Sequence, residues 1–335
     1  MSREPAVALP ELDLAGAEPL LRRLELTVRH KLDGLLQGNY LGLVPGAGSE
    51  AGESRQYAAG DDVRRMDWPV TARTTTAHVR QTIVDRELET WLVVDLSPSM
   101  DFGTARTEKR ELVLAAITAL VHLTVRGGNR IGAIVSNAEQ TIRIPALAGT
   151  AHGRYLMRRI AAVPRAGSAS LDPAATRTDL AVMLERLRRP PSRRGLVAVV
   201  SDFLDASPPV GGAAAAQATA ERSWERPLRA LSGRHQLLGI EVLDPRELEL
   251  PAAGLVTFSD PESGRELEVQ TSDSAVRRRY ADAAAAQRAG IATSLRHAGA
   301  AHLQLRTDRD WLTDVVRFVI ARRRSLGAAV AGGVR

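Results

Sequence analysis

The sequence predicts an α/β protein with a doubly wound, mainly parallel sheet and an antiparallel edge strand, preceded by a small N-terminal helix and a β-rich module. Two observations predict this fold class. After Trp91, short apolar runs alternate with segments of helical periodicity, a pattern typical of parallel strands connected by helices. Runs such as LVAVVSDF at 196–203 are apolar without alternation, which indicates strands that are covered on both faces.

The elements of the main domain follow from this alternation. The predicted helices lie near 107–126, 152–162, 178–189, 224–232, 273–298 and 309–324. The predicted strands are 91–96, 130–136, 141–145, 195–201, 236–242 and 302–306. The third of these strands follows the second after too few residues for a crossover connection, so we expect it to pair antiparallel at the edge of the sheet.

The N-terminal part has a different pattern. Apolar residues at helical spacing predict one amphipathic helix over 19–37, glycines then become dense, and 78–84 alternates like a strand. We therefore divide the chain into an N-terminal module at 1–88, a main domain at 89–325 and a tail at 326–335. Within the main domain we expect a flexible insert at 208–223 and a hairpin at 254–271, with its turn at Pro261–Gly264.

Composition is that of a globular protein without a membrane span. The chain has 335 residues, of which 44% are hydrophobic. The longest apolar run, Leu112–Val125, includes His122 and is shorter than the roughly 20 residues that cross a bilayer. The first residues lack the apolar core of an export signal. We expect a soluble, cytoplasmic protein with no transmembrane segment.

The charge balance bears on nucleic acid and zinc as partners. A net charge of +6 and a pI near 10.3 would suit nucleic acid. However, Lys31 and Lys109 are the only lysines among 45 basic residues, and the arginines are spread along the chain between 39 acidic residues. Since no aromatic stacking motif accompanies them, we expect no nucleic-acid partner. The absence of cysteine and of histidine pairs at helical spacing argues against zinc.

Polar side chains follow the ends of predicted strands. In WLVVDLSPSM, Asp95 ends a strand, and Ser97 and Ser99 follow at alternate positions, so an extended chain would present all three on one side. Asp202 ends the strand at 195–201, and Thr178 opens a helix. Because ligands of parallel sheets bind beyond the carboxyl ends of the strands, we expect these five residues to converge.

Such a set of oxygen atoms suits a hard cation. Hydroxyls and carboxylates favour Mg²⁺, with Mn²⁺ or Ca²⁺ as alternatives, and neutral hydroxyls leave the ion with charge to attract an anion. The competing interpretation is a turn in which Asp and Ser cap backbone amides. Thr178 could equally be a helix N-cap, and Thr176 is the alternative ligand.

Two motifs resemble known families. DLSPSM resembles the Asp-x-Ser-x-Ser signature of the von Willebrand factor A fold, whose metal-ion-dependent adhesion site adds a Thr and an Asp from other loops. The segment SRQYAAGDDVRRMDWPVTART at 54–74 is similar to the hallmark of the bacterial domain-of-unknown-function family number fifty-eight, which is related to that fold. The resemblance covers about 38–245. It implies a von Willebrand factor A-like domain, a Mg²⁺ site at Asp95, Ser97, Ser99, Thr178 and Asp202, and a MoxR-type AAA+ ATPase as partner.

These features lead to a ranked set of functional hypotheses. We expect a non-catalytic, metal-dependent protein-binding module that acts as adaptor or partner of a MoxR-type ATPase and its client. The alternatives are a Mg²⁺-dependent phosphohydrolase with Asp95 as nucleophile and a nucleic-acid-binding protein. The enzyme hypothesis lacks an acid or base, since no second Asp lies two residues after Asp95 and no His is near. Gly60–Trp68 is interpreted as a turn with internal ion pairs, with a partner-binding surface as the alternative.

Overall fold

A computed structural model describes residues 17–35, 54–57, 66–80, 88–126, 128–165, 179–188, 194–204, 222–259 and 266–332. The strands in these ranges are β1 Ser54–Gln56, β2 His78–Arg80, β3 Glu89–Asp95, β4 Arg130–Ser136, β5 Thr141–Leu147, β6 Gly195–Ser201, β7 His235–Leu243, β8 Leu255–Ser259, β9 Glu266–Gln270 and β10 Ala300–Arg306. The α-helices are α1 Ala17–Leu35, α2 Trp68–Thr74, α3 Lys109–Arg126, α4 Thr150–Ala161, α5 Leu180–Arg188, α6 Glu225–Leu231, α7 Ser274–His297 and α8 Trp311–Gly332.

Six strands form the central sheet, in the order β10-β7-β6-β3-β4-β5. Five of them run parallel, and β5 pairs antiparallel with β4 at the edge. Asn137 closes the short β4–β5 connection, because its Oδ1 atom accepts a hydrogen bond from the Gln140 amide at 3.0 Å. The predicted mainly parallel sheet with an antiparallel edge strand is confirmed.

Helices cover both faces of the sheet. Leu92 and Val94 of β3 belong to a core formed with α1, α3, α4 and α8. Trp91 and Val93 belong to the opposite core, formed with α5, α6 and α7. Alternate side chains of one strand therefore enter two different hydrophobic cores, which explains why the strand has no polar face.

The N-terminal helix packs onto the main domain. Leu21, Leu24 and Val28 of α1 are buried in the same core as α3, and Glu18 forms an ion pair with Arg158 of α4 at 2.8 Å. The helix thus covers the sheet in the way that a crossover helix does. The chain divisions at residues 88 and 325 stay predictions.

The segment before β3 contains a small antiparallel ladder. β1 pairs with β2, and Met66 bridges to Val79. Asp67, from the Gly60–Trp68 run, is buried and caps α2, since its Oδ1 atom accepts a hydrogen bond from the Val70 amide at 3.3 Å. This contact is structural. The rest of the run, residues 60–65, lies outside the described residues.

A separate hairpin consists of β8 and β9, which pair antiparallel within the predicted range 254–271. Its turn, and residues 208–221 of the predicted insert, lie outside the described residues. Of the helices in the described ranges, none combines the length and the apolar character needed to cross a bilayer.

Candidate metal centre

The first segment of the site is the chain that leaves β3. The strand ends at Asp95, whose Oδ1 atom accepts a hydrogen bond from the Ser97 amide at 3.0 Å. A 3₁₀ turn follows over Pro98–Met100, closed by a 2.8 Å bond from the Met100 amide to the Ser97 carbonyl. The expectation of an extended chain through Ser99 was therefore wrong. The turn instead brings the Ser97 and Ser99 hydroxyl oxygens to 3.2 Å from each other.

The second segment is the end of β6, the parallel neighbour of β3. Because their carboxyl ends meet at one edge, side chains of the two loops bond across the strands. Ser99 Oγ donates to Asp202 Oδ2 at 2.8 Å, and Ser201 Oγ donates to Asp95 Oδ2 at 2.8 Å. Asp95 and Asp202 are only 4% and 1% exposed. Four of the five predicted ligands are thus together, and Ser97 is as buried as the two aspartates, at 2% exposed.

A lysine that was not predicted as a site residue completes this cluster. Lys109, the first residue of α3, is fully buried, and its Nζ atom lies 2.9 Å from Asp202 Oδ2 and 2.6 Å from Glu247 Oε1. The sequence held one signal for it, since it is one of only two lysines in a chain whose basic residues are otherwise arginines. Nothing in the sequence indicated Glu247 as a site residue, because its role depends on a contact with Lys109, which is far away in the chain.

The loop after β7 holds Glu247 in place. Asp244 and Glu247 form a reciprocal cap in which Glu247 Oε2 accepts from the Asp244 amide at 2.9 Å. The Asp244 carboxylate also accepts hydrogen bonds from the Thr104 amide and hydroxyl and from the Thr307 hydroxyl. Although burial disfavours its charge, these bonds hold the Asp244 pKa below its usual value. The loop before α3 and the loop after β7 are therefore tied together beside Lys109.

The two aspartates of the site differ in the direction of their pKa shifts. Burial and the neighbouring charge of Asp202 raise the pKa of Asp95. Burial also disfavours the charge on Asp202, but the Lys109 ammonium outweighs it and lowers the Asp202 pKa. The pKa of Lys109 is raised, since Asp202 and Glu247 outweigh its own burial. Among the described residues, no cationic side chain lies at hydrogen-bonding distance from the Asp95 carboxylate, whereas Asp202 has Lys109.

Some of the oxygen atoms at this site are arranged as ligands of a magnesium ion would be. Two ligands on adjacent corners of a Mg²⁺ octahedron lie about 3 Å apart, close to the spacing of the Ser97 and Ser99 hydroxyl oxygens. Burial and the charge of Asp202 disfavour the ionised form of Asp95, and a cation bound beside it would favour that form. Within the described ranges no three His, Asp or Glu residues group as ligands, so a metal here would depend on hydroxyls. Asp202 already has a cation beside it in Lys109.

The remaining predicted ligand, Thr178, and its alternative Thr176 lie outside the described residues. The neighbouring Asp179 is described and caps α5, since its Oδ1 atom accepts a hydrogen bond from the Val182 amide at 3.1 Å. The helix-capping role that was considered for this position thus belongs to Asp179.

Comparison with known proteins places the chain in a family. The family model described as "Protein of unknown function DUF58" matches residues 53–290. The chain belongs to the DUF58 family. An uncharacterized protein of Mycobacterium tuberculosis is 52% identical over 99% of this chain and 98% of its own length. An uncharacterized protein of Mycobacterium avium is 45% identical over 57% of this chain and 98% of its own length. The predicted family is confirmed.

Solved structures with some likeness to this DUF58 chain include von Willebrand factor A-type proteins. A conserved hypothetical protein, BatB of Bacteroides thetaiotaomicron, aligns with a TM-score of 0.40 and 14% identity, over 71% of this chain and 99% of that chain. A von Willebrand factor type A protein of Catenulispora acidiphila aligns with a TM-score of 0.36 and 13% identity, over 75% of this chain and 44% of that chain.

Proposed function

We propose that this DUF58 protein is a non-catalytic binding module whose Mg²⁺-dependent site recognises a carboxylate of a partner protein. Ser97, Ser99 and Thr178 would hold the ion through their hydroxyls, and Asp95 and Asp202 would supply the negative charge beneath it. When bound, the ion would offer an open position to an acidic side chain, and such a charge-assisted contact is strong.

One observation carries this proposal: the two serine hydroxyls are adjacent at the carboxyl edge of the sheet, and both serines form hydrogen bonds with a buried pair of aspartates. Ser97 Oγ and Ser99 Oγ are 3.2 Å apart, and both loops are fixed by hydrogen bonds to Asp95 and Asp202. Burial and the charge of Asp202 leave Asp95 with a raised pKa. A cation placed beside the serines would relieve that repulsion.

The geometry gives little support to the phosphohydrolase alternative. A carboxylate nucleophile needs an oxygen atom that can reach the substrate. Both Asp95 oxygens accept hydrogen bonds from the protein, one from the Ser97 amide and one from the Ser201 hydroxyl, and the side chain is nearly inaccessible. Asp95 is better placed to support the loop than to attack a phosphate.

The partner we propose is a MoxR-type AAA+ ATPase, with the present chain acting as its adaptor or as the subunit that presents its client. This choice is supported by the resemblance of residues 54–74 to the family whose genes accompany such ATPases. The binding face would be the carboxyl edge of the sheet, where Ser97 and Ser99 lie.

A pull-down with an ATPase encoded beside this gene tests the proposal. Complex formation should require Mg²⁺, disappear with EDTA, and weaken in Ser97→Ala and Ser99→Ala. Ser232→Ala is the matched control, since Ser232 is an exposed serine before β7, at the opposite edge of the sheet, where its hydroxyl donates to the Arg229 carbonyl. A complex that survives both EDTA and the two serine variants would refute the proposed interface.

A further inference from the structure

We propose that Lys109 is a tethered cation of the candidate metal centre: its ammonium holds Asp202 in the metal-free protein and lowers the affinity of the site for divalent ions. The inference rests on the proposed metal-binding function and concerns how that site is controlled. The site would then have two arrangements. In one, Asp202 is paired with Lys109, and in the other, Asp202 contacts the metal ion.

The geometry of the ammonium supports this role. Lys109 Nζ lies 2.9 Å from Asp202 Oδ2, the same oxygen atom that accepts the Ser99 hydroxyl at 2.8 Å. Lys109 and the predicted metal ligand Ser99 therefore share one oxygen atom of Asp202. An ion bound to Ser99 and Asp202 would compete with the ammonium for this oxygen.

Burial makes the competition strong. The Lys109 side chain is 0% exposed and that of Asp202 is 2% exposed, so water screens their interaction very little. A buried charge also cannot leave its partner without cost. Lys109 has a second carboxylate at 2.6 Å in Glu247, which allows it to stay neutralised when Asp202 turns towards a metal ion.

The choice of residue type agrees with this role. A lysine ammonium is a compact point charge with three donors, whereas an arginine guanidinium is a broad planar fork. The chain uses arginine for nearly all its basic residues, yet a lysine stands where one small cation must lie between two carboxylates.

The test measures Mg²⁺ affinity by calorimetric titration and thermal stability with and without EDTA, in the wild type and in Lys109→Met. Removing the ammonium should tighten Mg²⁺ binding about tenfold or more, because a unit charge close to the ion is lost. It should also lower the melting temperature in EDTA, with Mg²⁺ restoring much of the loss. Arg110→Met is the matched control, since Arg110 is the next residue of α3 and its cation pairs with Asp101 instead of with Asp202.

A second variant keeps the inference testable if Lys109→Met does not fold. Glu247→Gln retains an oxygen for the Asp244 amide but removes one of the two carboxylates that share the ammonium. Lys109 should then hold Asp202 more firmly, and Mg²⁺ binding should weaken severalfold. Unchanged or tighter binding in Glu247→Gln would overturn the role of Lys109.

The outcomes separate this inference from the proposed function. Equal Mg²⁺ affinity in the wild type, Lys109→Met and Arg110→Met would reject the tethered cation and leave the metal site standing. Absence of Mg²⁺ binding in both the wild type and Lys109→Met would reject the metal site and the inference with it.

Discussion

Lys109 and Asp202 form a buried ion pair in which Nζ lies 2.9 Å from Oδ2, between the start of helix α3 and the end of strand β6. The two residues are 93 positions apart in the chain. The pair divides the two aspartates of the site into two kinds, because Asp202 has a cationic partner, whereas Asp95 has none at hydrogen-bonding distance among the described residues.

Asp95→Asn should abolish Mg²⁺ binding without weakening the metal-free fold. An asparagine can still accept from the Ser97 amide and bond to the Ser201 hydroxyl, and it removes a charge that Asp202 repels. We expect its free energy of unfolding in EDTA, measured by urea denaturation, to equal or exceed that of the wild type. Calorimetric titration that gives equal Mg²⁺ affinity for both proteins would remove Asp95 from the site.

Asp95→Ala should behave differently from Asp95→Asn. Alanine leaves the Ser201 hydroxyl and the Ser97 amide without their acceptors in a buried environment. We expect a loss of about 1–3 kcal/mol in the free energy of unfolding. Urea denaturation of the two variants side by side checks this, and a fully stable Asp95→Ala would show that these hydrogen bonds contribute little.

Ser99→Ala should weaken Mg²⁺ binding and loosen the contact between the β3 and β6 loops. The substitution removes the 2.8 Å hydrogen bond to Asp202 and should cost about 1 kcal/mol of stability in EDTA. Ser232→Ala provides the comparison, with Mg²⁺ affinity and stability close to those of the wild type. Titration and urea denaturation measure both effects.

The purified protein should show no metal-stimulated hydrolysis of phosphate esters, nucleotides or peptides. Asp95 is buried and hydrogen-bonded through both oxygens, so it is poorly placed as a nucleophile. Assays with chromogenic phosphate esters and with nucleotides, with and without Mg²⁺, test this. Turnover that disappears in Asp95→Asn would instead favour the enzyme hypothesis.

A second buried network, joined to the candidate metal centre by a 3.1 Å hydrogen bond from Arg288 to the Asp202 carbonyl, should make stability depend on acid pH. Burial favours the neutral form of Glu241, but hydrogen bonds from His302 and Gln304 and the charge of Arg288 lower its pKa overall. Its contribution is therefore complete above the unfolded pKa, near 4.5, and is lost as the pH falls through the lower folded pKa.

Glu241→Gln tests this network directly. The substitution leaves the buried Arg288 without its carboxylate, and we expect a loss of about 3 kcal/mol at neutral pH. The difference in free energy of unfolding between wild type and variant should shrink as the pH falls below about 4.5. Urea denaturation at neutral and acid pH measures it, and a difference that does not change with pH would contradict the assigned pKa direction.

Much of the fold could be predicted from the sequence because it depends on local patterns. Continuous apolar runs such as 196–200 predict strands buried on both faces, and their alternation with helices predicts a parallel sheet. The short β4–β5 connection predicts an antiparallel edge. Asp95 and Asp202 could be placed at one edge because both residues follow a predicted parallel strand.

The sequence by itself thus determined the type of sheet and two of the strand ends that carry the site. Only the tertiary structure decided which side chains meet there. The turn at Pro98–Met100 sets the distance between the two serine hydroxyls. Lys109 forms an ion pair with Glu247, which is 138 positions away in the sequence. The physical reason is that periodicity reports which face of an element is buried, whereas an ion pair between distant residues depends on which strands become neighbours and on how their loops turn.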